Sequence, residues 1–355
     1  MFRSVGRLIT SAILLVLSGL MMAACRYLPG LAPVYRDFSR QALAAISSVT
    51  GLLPFALWEV LLVLLALLFI WSVVYTLLQK KKFLSWASSI VLAVSVLVFL
   101  FVGLWGLNHY CPPLSEEIGL EVREYSRDEL IAATKYYMAG ANRYAGEVER
   151  DENNDLVPQD FDELAARAGS SFEPLWEQYP VLRGSTAPIK KAALTWYPMS
   201  HMGFTGVFIT YTAESTVNPD TFTASLPYTM CHEAAHRCTV AAEDEANFAA
   251  FLACEASDDA DFLYSGYYSA FVYCYNALHK VDKQAAYALW DENSALLRHD
   301  CGGANTHYDQ YEGKVQDVAQ KVNDTYLKTF SEESGVQSYG EVADYLIAYY
   351  LQKAA

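Results

Sequence analysis

Three apolar runs in the first 110 residues constrain this chain more than any other feature. Residues 8–24 and 90–107 carry no charge, and residues 52–78 carry one, Glu59. Backbone in hydrocarbon must satisfy its own hydrogen bonds, and about 20 apolar residues in a helix suffice to cross a bilayer. The runs therefore predict three transmembrane helices and a membrane domain over residues 1–110. Four of the seven Trp (Trp58, Trp71, Trp86 and Trp105) fall in this part, as expected of rings that anchor at membrane interfaces. The first run also resembles a signal peptide, and Met22-Ala23-Ala24-Cys25 a lipoprotein cleavage site; the two later spans favour an uncleaved helix.

Basic residues set the orientation. Arg3 and Arg7 precede the first span, and Lys80, Lys81 and Lys82 separate the second from the third. The positive-inside rule puts both groups in the cytoplasm. Residues 25–51 are then outside, against the pull of Arg26, Arg36 and Arg40, and so is everything after Asn108. The expected location is a membrane crossed several times, with an extracytoplasmic C-terminal domain. Glu59, beside Trp58 near the outer end of its helix, reads as a solvated interfacial carboxylate rather than an intramembrane functional group.

Charge divides the chain in the same place. Residues 1–110 hold eight Lys/Arg and two Asp/Glu, a net +6, so the overall −15 leaves −21 on residues 111–355. An acidic domain repels phosphate, which argues against a nucleic-acid partner. At 53% hydrophobic, the chain is too apolar to be disordered. The partners expected are the lipid bilayer and a peptide or membrane-protein substrate.

Residues 111–355 are long enough for a core of their own. Ser126 with Glu129 three residues on reads as a capping box opening a helix through Leu130, Tyr137 and Ala141. Residues 151–155 form a polar loop, and residues 161–179 one or two short helices ended near Pro180. Residues 192–212 mix aromatic and β-branched residues with Gly203 and Gly206, the signature of short strands. After Pro227 the pattern is helical. Asp258, Asp259 and Asp261 read as a solvated turn, without the Gly and terminal Glu of a calcium loop. Six of the seven cysteines lie outside the membrane by this topology, and their number allows either three disulfides or buried free thiols.

The chemistry lies in Cys231-His232-Glu233-Ala234-Ala235-His236-Arg237, an H-E-x-x-H motif. Four residues apart on a helix, His232 and His236 present two imidazoles to one Zn2+, one per chain, and Glu233 can take a proton from water beside it. Pro227 is placed to open that helix. A catalytic zinc site needs a third protein ligand. Glu243 can supply it if residues 237–242 turn the chain back; Glu245 competes from about 200° round the helix. Asn247, four residues beyond Glu243, favours Glu243 and can orient it from behind. The bland alternative is an acidic helix start that complements the helix dipole.

The H-E-x-x-H motif with the following Glu243-Asp244-Glu245-Ala246-Asn247 resembles gluzincin-type metallopeptidases, such as the CAAX-type and ImmA/IrrE-like peptidases. The short gap resembles the metzincin arrangement, but Thr239 stands where that family turns on a Gly. A broader likeness is to the domain-of-unknown-function 3810 family of bacterial membrane proteins. It is carried by Leu53-Pro54-Phe55, GFTGVFITYTAESTVN from Gly203, LPYTMCHEAAH from Leu226, EDEANF from Glu243, and VNDTYLKTF with GVQSYGEVADYLIAYY near the C-terminus. The resemblance implies three N-terminal spans followed by a zincin-like zinc peptidase domain. The fold class expected is thus mainly α: three transmembrane helices, then an α+β domain with a small sheet and an H-E-x-x-H helix.

In zincins an extended peptide adds to an edge strand upstream of the motif. Residues 204–210 are the candidate, with Gly206, Val207 and Phe208 against the substrate; an ordinary core strand is the alternative. Glu214 and Asn218 follow; they either line the cleft or, as is expected of them, stabilise a turn. Tyr267, Tyr268, His307 and Tyr308 are positional candidates for stabilising an oxyanion. The alternative function is a catalytically silent zincin-fold sensor or binding ectodomain.

Overall fold

The computed structural model describes residues 2–28, 30–79, 83–329 and 338–354. Lys80, Lys81 and Lys82, on which the expected orientation partly rests, lie outside them. The apolar runs form α1 (Phe2–Tyr27), α3 (Leu57–Leu78) and α4 (Phe83–Leu104), each long and apolar enough to cross a bilayer, with mean hydropathies of 2.3, 2.7 and 2.6. α1 and α4 pack along a small-residue seam with a seven-residue step. Ser4, Ser11, Ser18 and Cys25 are buried on one side, and Ser88, Ser95 and Val102 on the other. Small side chains let the two backbones approach. The hydroxyls of Ser11, Ser18 and Ser95 donate to carbonyls one turn back, at 2.8–2.9 Å, so the seam holds no orphaned donor. α3 buries only Glu59.

Residues 25–51, which the sequence assigned only to a side, contain α2 (Leu31–Thr50). Its buried residues Ala32, Arg36, Ser39, Leu43, Ser47 and Thr50 recur every three or four positions, a single helical face. That face ties the membrane-length helix α4 to the C-terminal part. Ser39 donates to the Leu104 carbonyl at 2.6 Å, Thr50 to the Thr212 carbonyl at 2.9 Å, and Arg36 pairs with Glu117 at 2.6 Å.

Beyond the spans come α5 (Leu114–Ile118), α6 (Arg127–Tyr144), α7 (Phe161–Ser170), β1 (Lys190–Lys191), α8 (Trp196–Met202), β2 (Gly206–Ile209), β3 (Glu214–Val217), α9 (Leu226–Arg237), α10 (Glu243–Glu255), α11 (Ala260–Val281), α12 (Lys283–Glu292), α13 (Ala295–Asp309), α14 (Lys314–Thr329) and α15 (Ser338–Ala354). The core lies between α6, α9, α10, α11 and α15, with Tyr137, Met230, Phe248, Phe251 and Phe271 fully buried. The Ser126–Glu129 capping box is present in both directions. Asp259 caps α11 and pairs with Arg167. The seven cysteines are free thiols, all buried except Cys111.

The sheet is small, in the order β1-β3-β2, with β1 parallel and β2 antiparallel to β3. Of the strands expected in residues 192–212, only β2 forms; residues 196–202 are helical. β3 escaped the sequence reading because Glu-Ser-Thr-Val is polar without alternation, and all four residues are buried.

Two of those polar readings are corrected by the same contacts. Glu59 is not solvated: it is 2% exposed and accepts the backbone N–H groups of Ala193, Leu194 and Thr195 at 2.8–3.0 Å. Glu214 stabilises no turn. It accepts the N–H groups of Leu57 and Trp58, at 2.8 and 3.0 Å, and so caps the start of α3. These first N–H groups of a helix have no partner within it, and a carboxylate there also meets the positive end of the dipole. Trp58 Nε1 donates to Thr216 at 2.9 Å and Lys190 donates to the Gly51 and Leu53 carbonyls. The sheet is thereby bolted to the head of a membrane-length helix.

Candidate metal centre

Local chemistry shapes α9 before any metal is considered. Pro227 occupies its first turn, where a missing N–H costs nothing. At the other end, Thr239 N–H bonds the His236 carbonyl at 2.9 Å and Val240 N–H the Ala235 carbonyl at 3.2 Å. This is the Schellman pattern, which needs a left-handed residue between helix and exit. Thr239 fills that position at φ 71°, although its β-branched side chain disfavours it. The absence of Gly therefore does not prevent the turn.

The turn performs two tasks. It sends the chain back so that Glu243, at the start of α10, faces α9. It also points the Val240 carbonyl at His236, whose Nδ1 lies 2.8 Å away. A donated Nδ1–H leaves Nε2 with its lone pair free, the tautomer a metal ligand requires.

His232, His236 and Glu243 form a cluster whose ligand atoms lie within 4.8 Å of one another. The two Nε2 atoms are 3.1 Å apart, and Glu243 Oε2 is 3.2 Å from one and 3.6 Å from the other. Ligands about 2.0–2.1 Å from a tetrahedral zinc would be about 3.3–3.4 Å apart. Glu243 Oε2 and His232 Nδ1 are buried without hydrogen-bond partners, and an orphaned acceptor in that position suits a cation. The residues present fit a zinc ion. Glu245, the rival, points elsewhere: it accepts Leu114 N–H at 2.8 Å and Tyr345 hydroxyl at 3.4 Å.

The cluster's electrostatics follow from burial and proximity. Burial alone would lower His236, but the Glu243 carboxylate overrides it and lifts the imidazole to about 9. Burial alone would raise Glu243; His236 and His232 more than reverse this and hold it well below the usual carboxylate range. Glu233 is 4% exposed. Burial pushes its carboxyl up to about 7, with the two imidazoles pulling it down and Glu243 pushing it further. Its Oε2 has no partner. β2 passes directly over it, and Gly206 makes this possible: a Cβ there would stand 2.3 Å from Glu233 Oε1. β3 steadies the helix from the other side, Ser215 donating to the Glu233 carbonyl at 2.6 Å.

Two cavities meet at His232, Glu233 and Gly206. The larger, about 670 Å³, is lined by hydroxyl and amide groups with Asp220, and no Lys or Arg is among its lining residues. The smaller, about 310 Å³, holds Val207 and Phe208 of β2 and is closed by Phe101, Trp105 and Tyr326. β2 is an edge strand, as expected, and all three of its proposed contact residues line a cavity.

The oxyanion candidates divide. Tyr268 and Tyr308 line the larger cavity, but the Tyr308 hydroxyl accepts Phe222 N–H at 3.2 Å. Tyr267 lies elsewhere, donating to Glu255 at 2.9 Å among Tyr136, Tyr137 and Tyr144. His307 Nε2 contacts the Asp220 carbonyl at 2.6 Å and lines neither cavity. Asn247 does not orient Glu243. Its side-chain oxygen receives the hydroxyls of Tyr273 and Tyr228, at 3.3 and 3.4 Å. Those two tyrosines line the larger cavity and were missed by the sequence reading; Tyr273 follows Ser269 by four residues on the wall-forming face of α11.

The fold and cluster define a class: a mainly helical protein with three membrane-length helices and a buried two-histidine, one-glutamate cluster beside an edge strand. The chain belongs to the DUF3810 family, proteins of unknown function, whose family model matches residues 36–347, from within α2 into α15. No curated protein and no solved structure matches it.

Proposed function

We propose that the protein is a membrane-anchored zinc metallopeptidase of zincin type that cuts peptide bonds within a chain, its catalytic domain on the extracytoplasmic face of a bacterial plasma membrane. The observation that carries this reading is the approach of the ligand atoms of His232, His236 and Glu243 to within 4.8 Å of one another, with Glu233 buried beside them on the helix of the two histidines. A bound zinc supplies a Lewis acid and an activated water. Glu233 receives the proton of the attacking water and returns it to the leaving amine. The unpaired Oε2 is available for this. The Val240 carbonyl stands to accept the Nδ1–H of His236, which would leave Nε2 to face the ion. The edge of β2 holds the substrate backbone by strand addition. With no Lys or Arg among its lining residues, the larger cavity offers no partner for a C-terminal carboxylate, which favours internal cleavage. Tyr273, Tyr228 and Tyr268 bring phenol side chains to the larger cavity, where a hydroxyl could meet the developing oxyanion.

The test is zinc stoichiometry on the purified full-length protein, followed by hydrolysis. One zinc per chain is expected, lost in His232→Ala and Glu243→Gln and kept in Glu245→Gln. Glu233→Gln should keep the zinc and abolish hydrolysis. Metal-replete protein without zinc would end the proposal. Zinc with no hydrolysis of any peptide would favour the silent binding ectodomain.

A further inference from the structure

The smaller cavity opens an inference about what the site takes. Its far wall belongs to a membrane-length helix. α4 has 22 residues, a rise of about 33 Å at 1.5 Å per residue, against a hydrocarbon layer of about 30 Å. Its last turn therefore stands at the edge of that layer. Phe101 lies in this turn and Trp105 directly follows it, and both close the cavity. Trp105 is 4% exposed. Its ring meets His236 edge-on at 6.0 Å and Phe208 of β2 at 5.0 Å. Only one aromatic ring separates the metal cluster from the end of the helix.

The remaining lining is Phe204, Val207, Ala241 and Tyr326 with Asn323; the charged groups present are the cluster itself and Glu233. Beyond the cluster and Glu233 the wall offers no charged partner, Lys or Arg least of all, so an acidic substrate side chain would be desolvated there at a cost. A large apolar side chain fits both the volume and the chemistry. The opposite cavity, across Gly206, brings Ser, Thr, Asn, Gln and Tyr side chains to its wall alongside Met202, Phe204 and Val272. A chain laid along β2 thus runs from an apolar pocket on the membrane side to a hydroxyl- and amide-lined cleft.

We propose that the substrate is a membrane-bound polypeptide cut close to the bilayer surface, with an aromatic or long aliphatic side chain seated against Phe101, Trp105 and Phe208. This rests on the peptidase reading for the cut, but not for the seating. The occupant is committed by the continuity of the pocket wall with α4: a segment leaving the lipid reaches the pocket at the level of the interface, and its apolar side chain passes from lipid to protein without crossing much water.

The experiment uses the full chain in lipid nanodiscs. In the Glu233→Gln variant, a peptide tethered by an acyl chain carries a benzophenone side chain at successive distances from the tether. The expected crosslinks fall in residues 101–105 and 206–208. They should be strongest within about ten residues of the tether, a reach of about 35 Å. In parallel, zinc-loaded wild type is given tethered peptides with Phe, Leu, Ala or Asp at the seated position. Phe or Leu should exceed Asp by at least about tenfold in kcat/KM, as expected when a charge must enter an apolar pocket. Phe101→Ala should narrow the Phe-over-Ala preference while zinc content stays at one. Crosslinks away from α4 and β2, or indifference between Phe and Asp, would overturn this proposal while hydrolysis itself upheld the peptidase. Crosslinks in the α4 wall with no hydrolysis of any peptide would uphold the seating and sink the peptidase.

Discussion

Replacing Gly206 by Ala isolates Glu233 from the metal ligands. The φ of Gly206 is not in the left-handed region, so the backbone accepts a Cβ. That Cβ would stand 2.3 Å from Glu233 Oε1 and 2.7 Å from both Cδ and Cγ, where ordinary contact begins at 3.4 Å. The carboxylate must retreat by roughly 1 Å. No atom of His232, His236 or Glu243 is among the three nearest, so zinc content should remain one per chain. A displacement of that size commonly costs about 100-fold in rate. A hydroxamate, which chelates zinc and donates a hydrogen bond to the neighbouring carboxylate, reads the same displacement without a substrate. Losing one charge-assisted hydrogen bond costs about 1.5–3 kcal/mol, or about 10- to 150-fold in affinity. Calorimetric titration of wild type and Gly206→Ala checks this. Unchanged hydroxamate affinity would refute the placing of Glu233 over the water; loss of zinc would refute the claim that Gly206 serves Glu233 alone.

Two further outcomes test the frame around the site. Glu214→Ala leaves the Leu57 and Trp58 N–H groups without their acceptor, which should cost about 2–4 kcal/mol and lower Tm in detergent, with Glu214→Gln intermediate because one acceptor remains; an unchanged Tm would remove the cap from the account. Glu129 is held down to about 2 by its hydrogen bond from Arg123 and those of the capping box. A depressed carboxyl contributes stability above its ordinary pKa and loses it as pH falls through the folded value, so a Tm gap between wild type and Glu129→Gln should be present at neutral pH and close between about 4.5 and 2.

Much of this was legible because it depends on local spacing. The spans follow from unbroken apolarity, the α6 start from Ser126 and Glu129, and α9 from Pro227. The shared face of His232 and His236 follows from a four-residue step on a helix. The choice of Glu243 over Glu245 rests on Asn247, which the structure turns to Tyr228 and Tyr273 instead; spacing says only that the two glutamates diverge by about 200° round one helix, and it is folding that turns Glu245 to Leu114. Spacing is a short-range quantity, carried in full by the order of residues.

What the sequence could not determine is what faces what across long separations. Glu59 and the backbone of residues 193–195 are joined across more than 130 positions, as Glu214 and the head of α3 are across more than 150. Neither carboxylate differs in sequence from a solvated one; each is recognisable only by the N–H groups that folding brings to it. The same holds for Tyr267, turned to Glu255, for Asn247, turned to Tyr228 and Tyr273, and for Gly206, whose lack of a Cβ matters only once β2 lies over Glu233. Trp105 reads as an interfacial ring from sequence alone; packing alone sets it edge-on against His236. Local periodicity made α1, α3, α4, α6 and α9 legible, and residue identity the donor atoms, whereas α2 and α8 emerged only with the fold. Tertiary structure decided how close those donors stand to the end of a membrane-length helix, because that distance depends on contacts no periodicity encodes.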